Sequence, residues 1–185
     1  EQLSLTKIFQ RGWEWEYLNA ETDQSVLQWP LGDRPTTIIA FNYGEQVVVA
    51  VEDGRVLILD ETMKTSSDLY MESKVQTISL FNDDSGMFLG TVGGELGFLD
   101  LSVNSLTIKQ ADFPSFSASD ILEDNSLLTG HADGTVRLWS ADGKYIHTVS
   151  QFNSLVMTID WNASLQFVAV GLVDGSVYVV SLDGD

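Results

Sequence analysis

The sequence predicts an all-β protein built from repeated antiparallel sheets. In residues 127–144, LLTGHADGTVRLWSADGK, a short apolar run, an Asp-Gly turn, an alternating run and a second Asp-Gly turn follow one another. Gly accepts a positive φ at little cost and Asp bonds its own backbone, so this order predicts a hairpin. Similar hairpins recur at spacings of 40, 40 and 41 residues, opened by Gly54, Gly94, Gly134 and Gly175. Abundant Val, Ile, Leu, Phe and Trp with only 3 Pro also suit strands.

Residues 127–144 resemble the second half of a WD repeat, and the spacing matches the roughly 40–45-residue period of that family's four-stranded blades. The resemblance implies a β-propeller of about four blades plus a partial blade. Gly12 is a candidate for a fifth glycine of the repeat. WD-type rings usually have more blades than this, so we expect the chain to be part of a larger ring. The expected blades, all in one propeller domain, are 1–35 (partial), 36–74, 75–115, 116–154 and 155–185 (incomplete).

The inner strands of a propeller are covered on both faces, so we expect them to be nearly continuous apolar runs. Residues 47–51, VVVAV, fit this expectation. The polar stretches between repeats are expected to hold the outer strands. Near the start of the chain, Trp13, Trp15 and Tyr17 alternate with Glu, a pattern that we interpret as one face of a core strand rather than a ligand platform.

The repeats depart from the family pattern in their polar residues. No Gly-His pair precedes an inner strand, Gly93 replaces the turn Asp of the second complete repeat, and only Trp139 matches the family's Trp. His131 is assigned to a turn. We therefore expect the buried His–Asp network of the family to be absent and apolar packing to hold the blades. The turn Asp is present in the other repeats as Asp53, Asp133 and Asp174.

Composition favours some partners and disfavours others. The net charge is −18, from 27 acidic and 9 basic side chains, which favours basic protein partners and disfavours direct nucleic-acid binding. No apolar run approaches the roughly 20 residues of a membrane span, so membrane insertion is not expected. With no Cys, disulfides and thiolate sites are excluded. An intracellular location, cytoplasmic or nuclear, is compatible with this composition.

No pattern predicts catalysis. His131 and His147 have no third ligand at metal spacing, and there is no Gly-x-Ser-x-Gly elbow, P-loop or dinucleotide fingerprint. The stretches 142–143 and 183–185 lack the alternating oxygen ligands of a calcium loop. We therefore predict a protein that is not an enzyme, with no catalytic residue, metal or cofactor.

Two candidate interaction surfaces follow from the blade layout. Turns after the first and third strands of each blade share one side, which is predicted to be an acidic face formed by Asp60, Glu61, Asp83, Asp84, Asp100, Glu123, Asp124 and Asp142. In the family the opposite rim is a frequent place for peptide docking. By this resemblance the candidate partner-binding residues are Arg55, Phe113, His131, Arg137 and Phe152.

The predicted function is a non-enzymatic protein–protein interaction scaffold, a subunit of a multiprotein complex that binds basic partner segments or a ring-completing partner. One alternative is the substrate-recognition propeller of a ubiquitin ligase, which for a phosphorylated substrate requires an arginine-lined pocket. The other is a propeller enzyme, a hydrolase or a quinone-dependent dehydrogenase, which requires polar groups converging in the central channel.

Overall fold

The computed structural model describes residues 31–41, 45–60, 62, 64–110 and 112–183. The chain divides into two compact units, residues 1–30 and 31–185, and all described residues belong to the second. Several predictions lie outside the described residues: most of the partial blade over 1–35, the candidate repeat glycine Gly12, the stripe of Trp13, Trp15 and Tyr17, and the acidic residue Glu61.

The described residues form short strands, with no helix among them, and therefore no helix that could cross a membrane. The first two groups of strands are β1 (Pro35–Phe41), β2 (Gln46–Val51), β3 (Arg55–Leu59), β4 (Thr65–Tyr70), β5 (Val75–Leu80), β6 (Gly86–Thr91), β7 (Leu96–Asp100) and β8 (Ser105–Gln110). The remaining strands are β9 (Phe116–Ile121), β10 (Leu127–His131), β11 (Thr135–Trp139), β12 (Tyr145–Gln151), β13 (Val156–Asn162), β14 (Phe167–Leu172) and β15 (Val177–Ser181).

The strands form four antiparallel sheets in chain order. Three have four strands, ordered β1-β2-β3-β4, β5-β6-β7-β8 and β9-β10-β11-β12, and the fourth has the described strands β13-β14-β15. The repeated glycines lie between the second and third strands of each sheet. All four have a positive φ, from 83° to 91°, which explains why Gly recurs there. The predicted all-β fold of about four blades is confirmed.

Successive sheets pack face to face. We name the face of a sheet that packs on the next sheet its forward face, and the opposite face its rear face. Between the first and second sheets lie Val48, Val56, Ile58, Met87, Leu89 and Leu99. Between the second and third lie Phe88, Leu96, Phe116, Leu127 and Trp139. Between the third and fourth lie Leu128, Val136, Val156, Val168 and Val170.

Burial differs between the first and second strands of each sheet. The second strands β2, β6 and β10 are almost wholly buried, as predicted for residues 47–51. The first strands β1, β5, β9 and β13 mix buried residues with half-buried or exposed ones, and polar residues interrupt them, so the expectation of apolar runs was wrong for them. The reason is position: a second strand lies between two strands of its sheet, whereas a first strand is the edge strand of its sheet.

The first strands also carry polar links between sheets. Each has a register shift that leaves one residue unpaired, a β-bulge, at Thr36, Gln76, Ser117 and Met157. Thr36 Oγ1 donates a hydrogen bond to the Val75 carbonyl at 2.7 Å, and Ser117 Oγ donates to the Val156 carbonyl. These two bulge hydroxyls therefore join a first strand to the first strand of the next sheet.

Two glycines allow the later sheets to approach closely. A Cβ on Gly130 would lie 2.4 Å from Val156 Cγ1, and one on Gly90 would lie 2.8 Å from Phe116 Cβ. Register places Ala50 of the first sheet at the equivalent position. A methyl group is thus accommodated between the first two sheets, whereas the later interfaces leave no room for one.

The substitution Gly130→Ala is expected to lower the free energy of unfolding by about 1–3 kcal/mol, because overpacking displaces the first strand of the fourth sheet. Chemical denaturation with the wild-type chain as reference measures this loss.

The double variant Gly130→Ala/Val156→Ala supplies the control. Val156→Ala alone opens a cavity, and the new methyl fills part of it, so the double variant is expected to lose less than the sum of the single losses. Strictly additive losses would show that the clash with Val156 is not what excludes a side chain at position 130.

Candidate functional site

The turns after the first and third strands lie at one end of the sheets, and we name this side the turn face. Neighbouring sheets are hydrogen-bonded to one another on this side. Asn82 Nδ2 donates to the Leu122 carbonyl at 2.8 Å, and Trp161 Nε1 donates to Glu123 Oε2 at 3.1 Å. Of the predicted acidic face, the described members on this side are Asp60, Asp83, Asp84, Asp100, Glu123, Asp124 and Asp142. Their role in binding partners stays a prediction.

Most of these aspartates bond to their own turn. Asp60 accepts from the Thr62 hydroxyl and backbone N–H, Asp83 accepts likewise from Ser85, and Asp100 accepts likewise from Ser102. In each case the hydroxyl hydrogen bond is the largest cause that holds the pKa of the carboxyl below its usual value. Such bonds favour the charged form, so these side chains remain anionic.

Asp142 is paired with a lysine of its own turn. Its Oδ2 lies 2.8 Å from Lys144 Nζ, and the Ser140 hydroxyl donates to Oδ1. The ammonium of Lys144 first, and then the Ser140 hydroxyl, lower the pKa of Asp142 to about 2. Because the pair is exposed, solvent screens it, and its main effect is to organise the turn.

The candidate residues of the opposite rim do not form one site. Arg55, on the first sheet, pairs with Asp53 at 2.7 Å and donates to the Leu31 carbonyl at 3.1 Å. Phe152 packs on Tyr178 of the fourth sheet, with ring centroids 4.7 Å apart. Their proposed role as partner-binding residues stays a prediction.

Phe113 and Arg137 do come together. The Arg137 guanidinium lies 5.4 Å from the Phe113 ring centroid, and Nη2 pairs with Asp133 at 3.0 Å. Phe113 meets Trp139 edge-on at 4.7 Å. Arg137 Nη1 is buried without a hydrogen-bond partner among the described residues, an arrangement that costs free energy unless an acceptor arrives.

His131 is fully buried at the end of β10, not in a turn. Its Nδ1 lies 2.9 Å from the Pro114 carbonyl, which can only accept, so Nδ1 carries the proton. The Thr129 hydroxyl then donates to Nε2 at 2.8 Å and accepts from Trp139 Nε1 at 2.7 Å. A buried histidine network is therefore present, supplied from a different position than in the family pattern. A partner docked on this rim would not reach the His131 side chain.

Burial is the largest cause that lowers the pKa of His131, from its ordinary value of 6.5 to about 4. The imidazole is therefore neutral at physiological pH, in agreement with its role as donor at Nδ1 and acceptor at Nε2. Its function in this position is to connect strand ends.

The second sheet has a buried network at the corresponding place. Glu95 is only 7% exposed and accepts from the Ser73 backbone N–H, the Ser73 hydroxyl and the Thr91 hydroxyl at 3.0–3.1 Å. Ser73 Oγ also accepts from the backbone N–H of Gly93. In both sheets a residue of the segment just before the first strand is hydrogen-bonded close to the end of the second strand. This residue is Ser73 in the second sheet and Pro114 in the third.

The sequence contained a signal for one of these networks. Thr129 and His131 are two residues apart on one strand, so they share a face, and the hairpin register puts Trp139 on that face also. Nothing comparable predicts the contact between Trp161 and Glu123, which joins two sheets.

The sequence predicts that the chain holds no metal ion, and this stays a prediction. Within the part of the chain that the structure describes, there is no cluster of three or more His, Asp or Glu arranged to hold a metal ion. His131 is bonded as above, and His147 Nε2 lies 3.0 Å from the Leu182 carbonyl.

Comparison with known proteins identifies one repeat and the overall fold. The family "WD domain, G-beta repeat" matches residues 101–140, which span the turn after β7 to the end of β11. No curated protein matches the chain. Among solved structures, the crystal structure of the computationally designed Ika4 protein aligns with a TM-score of 0.74 at 20% identity, and the alignment covers 86% of this chain and 98% of that chain.

The depressed pKa of His131 predicts a pH dependence of stability. As pH falls from 6.5 towards 4, the unfolded chain takes up a proton that the folded chain excludes, so native stability falls through this window. The loss is on the order of 3 kcal/mol when complete. In His131→Gln this part of the dependence is expected to disappear in urea denaturation between about pH 7 and pH 5.

His147→Gln, which leaves the buried network of His131 intact, is the matched histidine substitution, and the slope lost in His131→Gln is measured against it. An unchanged slope in His131→Gln would contradict the assignment of this window to His131.

Thr129→Val tests the network directly. The substitution keeps the side-chain shape but leaves the Trp139 N–H and His131 Nε2 without a partner, so the free energy of unfolding is expected to fall by about 2–5 kcal/mol. Thr129→Ser keeps the hydroxyl, and the loss of one methyl is expected to cost about 1 kcal/mol. Thermal or chemical unfolding of both variants compares them, and a valine variant as stable as the serine variant would rule out a stabilising network.

Proposed function

The chain is a β-propeller of the WD-repeat type, and we propose that it acts as a non-enzymatic scaffold, a subunit of a multiprotein assembly. Repeats of this family generally mediate protein–protein interaction. The observation that carries the proposal for this chain is the exposed apolar forward face of the fourth sheet.

The strand register shows that the forward face of the fourth sheet is equivalent to the buried forward faces of the other three sheets. Val177 pairs with Gly171 as Val136 pairs with Gly130, and the equivalent residues of the other sheets are Val56 and Leu96. Those equivalents are at most 1% exposed, because the next sheet covers them. Val177 is 73% exposed and Val179 is 64% exposed. The fourth sheet therefore presents to solvent the surface that its counterparts use for packing.

A contiguous apolar surface of this kind typically marks an interaction site. A further antiparallel sheet that continues the ring fits this surface. By analogy with the rear faces of the later sheets, that sheet carries large apolar side chains such as Leu127, Trp139 and Val170. Thr158 and Asp160, exposed on the first strand of the fourth sheet, form the polar border of this surface.

The acidic turn face is the second surface of the proposal. The aspartates of its turns are anionic because their own turns stabilise the charge, and the whole chain carries −18. Basic segments of partner proteins are the class that such a field attracts, with rates and affinities that fall as salt is added.

Three further parts of the proposal rest on indirect support. Each of the ranges 36–74, 75–115, 116–154 and 155–185 holds one of the four sheets and is proposed as one blade. The absence of catalysis is supported by the structural bonding of both histidines. The proposed intracellular location is compatible with the Cys-free composition.

Without its partner, the forward face of the fourth sheet is expected to drive self-association. Light scattering over a concentration series is expected to show a rising mass for the wild-type chain. In Val177→Thr/Val179→Thr the added hydroxyls oppose desolvation, and association is expected to weaken by about tenfold or more.

Val103→Thr is the matched control, because Val103 is 68% exposed but lies in the turn after β7. It is expected to associate as the wild type does, and unchanged melting curves verify that all variants fold. Equal association of the double variant and the wild type would remove the support for this face as an interface.

A further inference from the structure

An open groove of about 630 Å³ lies on the turn face between the third and fourth sheets. Its apolar lining includes Trp161, Leu165 and Phe167, and its carboxylates are Glu123, Asp124 and Asp183. Leu165 is 65% exposed and Phe167 is 43% exposed, so apolar surface faces solvent directly beside the acidic groups. A volume of this size lies in the range of ligand-binding pockets.

The floor of the groove is held in position by bonds between the two sheets. The Trp161 backbone N–H donates to Asp120 Oδ2 at 2.7 Å, and its indole Nε1 donates to Glu123 Oε2 at 3.1 Å. Asp124 Oδ1 accepts from the Ser126 backbone N–H at 2.9 Å. The indole and two of the carboxylates are therefore placed before any ligand arrives, which reduces the ordering cost of binding.

The charge of the groove is uncompensated. No Lys or Arg is among the described residues that line it, whereas elsewhere on the turn face Asp142 has Lys144 beside it. An occupant that carries positive charge would supply the missing cation. The apolar lining requires that the same occupant also offer aliphatic surface.

We propose that this groove binds a Lys or Arg side chain from an extended basic segment of a partner protein. The aliphatic stem lies on Leu165, and the cationic head lies at the carboxylates of Glu123 and Asp124, beside the hydrogen-bonded indole of Trp161. Long basic side chains combine these two properties, and a cation near an indole gains further attraction. The inference rests on the proposed scaffold function and names the place on the turn face at which the basic segment is read.

The test uses a fluorescein-labelled nonapeptide in which Lys and Ser alternate, with binding followed by fluorescence anisotropy at physiological salt. The groove variant is Glu123→Gln/Asp124→Asn/Asp183→Asn. Gln and Asn retain an acceptor oxygen for the bonds from Trp161 and Ser126, so charge is removed while those bonds are kept. Its affinity is expected to fall by about tenfold or more.

The matched control removes the same charge from the same face outside the groove, with Asp60→Asn/Asp83→Asn/Asp100→Asn. Its turns keep their acceptor, and a loss of less than about threefold is expected from the weaker long-range field. Equal losses in the two triple variants would overturn the proposal in favour of diffuse attraction, and so would unchanged affinity in the groove variant.

Two further measurements separate the groove from general charge. Trp161→Leu leaves the net charge unchanged and is expected to weaken peptide binding by about two- to fivefold through the lost cation–indole contact. Free spermidine, which carries charge without a peptide backbone, is expected to compete poorly. Wild-type affinity in Trp161→Leu, or spermidine binding as tight as that of the peptide, would contradict a site for a protein segment.

Different variants test the proposed scaffold function and the proposed groove, so the failure of one can be told from the failure of the other. Val177→Thr/Val179→Thr is expected to bind the peptide as the wild type does, and the groove variant is expected to self-associate as the wild type does. Loss of peptide binding in the valine variant would place the basic segment at the forward face of the fourth sheet and overturn the groove.

Discussion

Face-to-face packing of apolar sheets is the interaction on which the rest of this structure depends. Each of the first three sheets buries large side chains on its forward face against the rear face of the next sheet. A small sheet with two apolar faces has no stable isolated state in water, so the sheets stabilise one another in series. The same requirement explains the glycines at positions 90 and 130, where the side chains of Phe116 and Val156 of the next sheet pack against the backbone.

Polar groups are consequently concentrated at the ends of the sheets. In the interior, buried hydroxyls, His131 and Glu95 are each hydrogen-bonded, because an unpaired polar group there would cost more than its bonds contribute. At the turn face the aspartates bond to their own turns and keep their charge exposed. One residue type thus both shapes the turn and produces the acidic field, which connects local structure directly with the proposed binding of basic segments.

Both proposed surfaces arise where the repeats differ from one another. The forward face of the fourth sheet has the apolar character of the other three but not their cover. Between the second and third sheets Asn82 bonds across to Leu122, whereas between the third and fourth the side chain of Trp161 bonds to Glu123 beside an open groove. The proposed binding surfaces of this chain therefore lie where one sheet differs from its equivalents.

The strands, the turns and the period of the repeat follow from the sequence alone. These depend on neighbouring residues: the alternation in β11, the positive φ at Gly54 or Gly134, and the apolar run in β2 are all local properties. Which of these strands are covered and which side chains meet is set by the packing of the sheets. The burial of His131, the incomplete burial of the first strands and the contact of Trp161 with Glu123 all depend on how the sheets pack. Equivalent residues of neighbouring sheets are about one repeat apart in the chain, so no local pattern records these contacts.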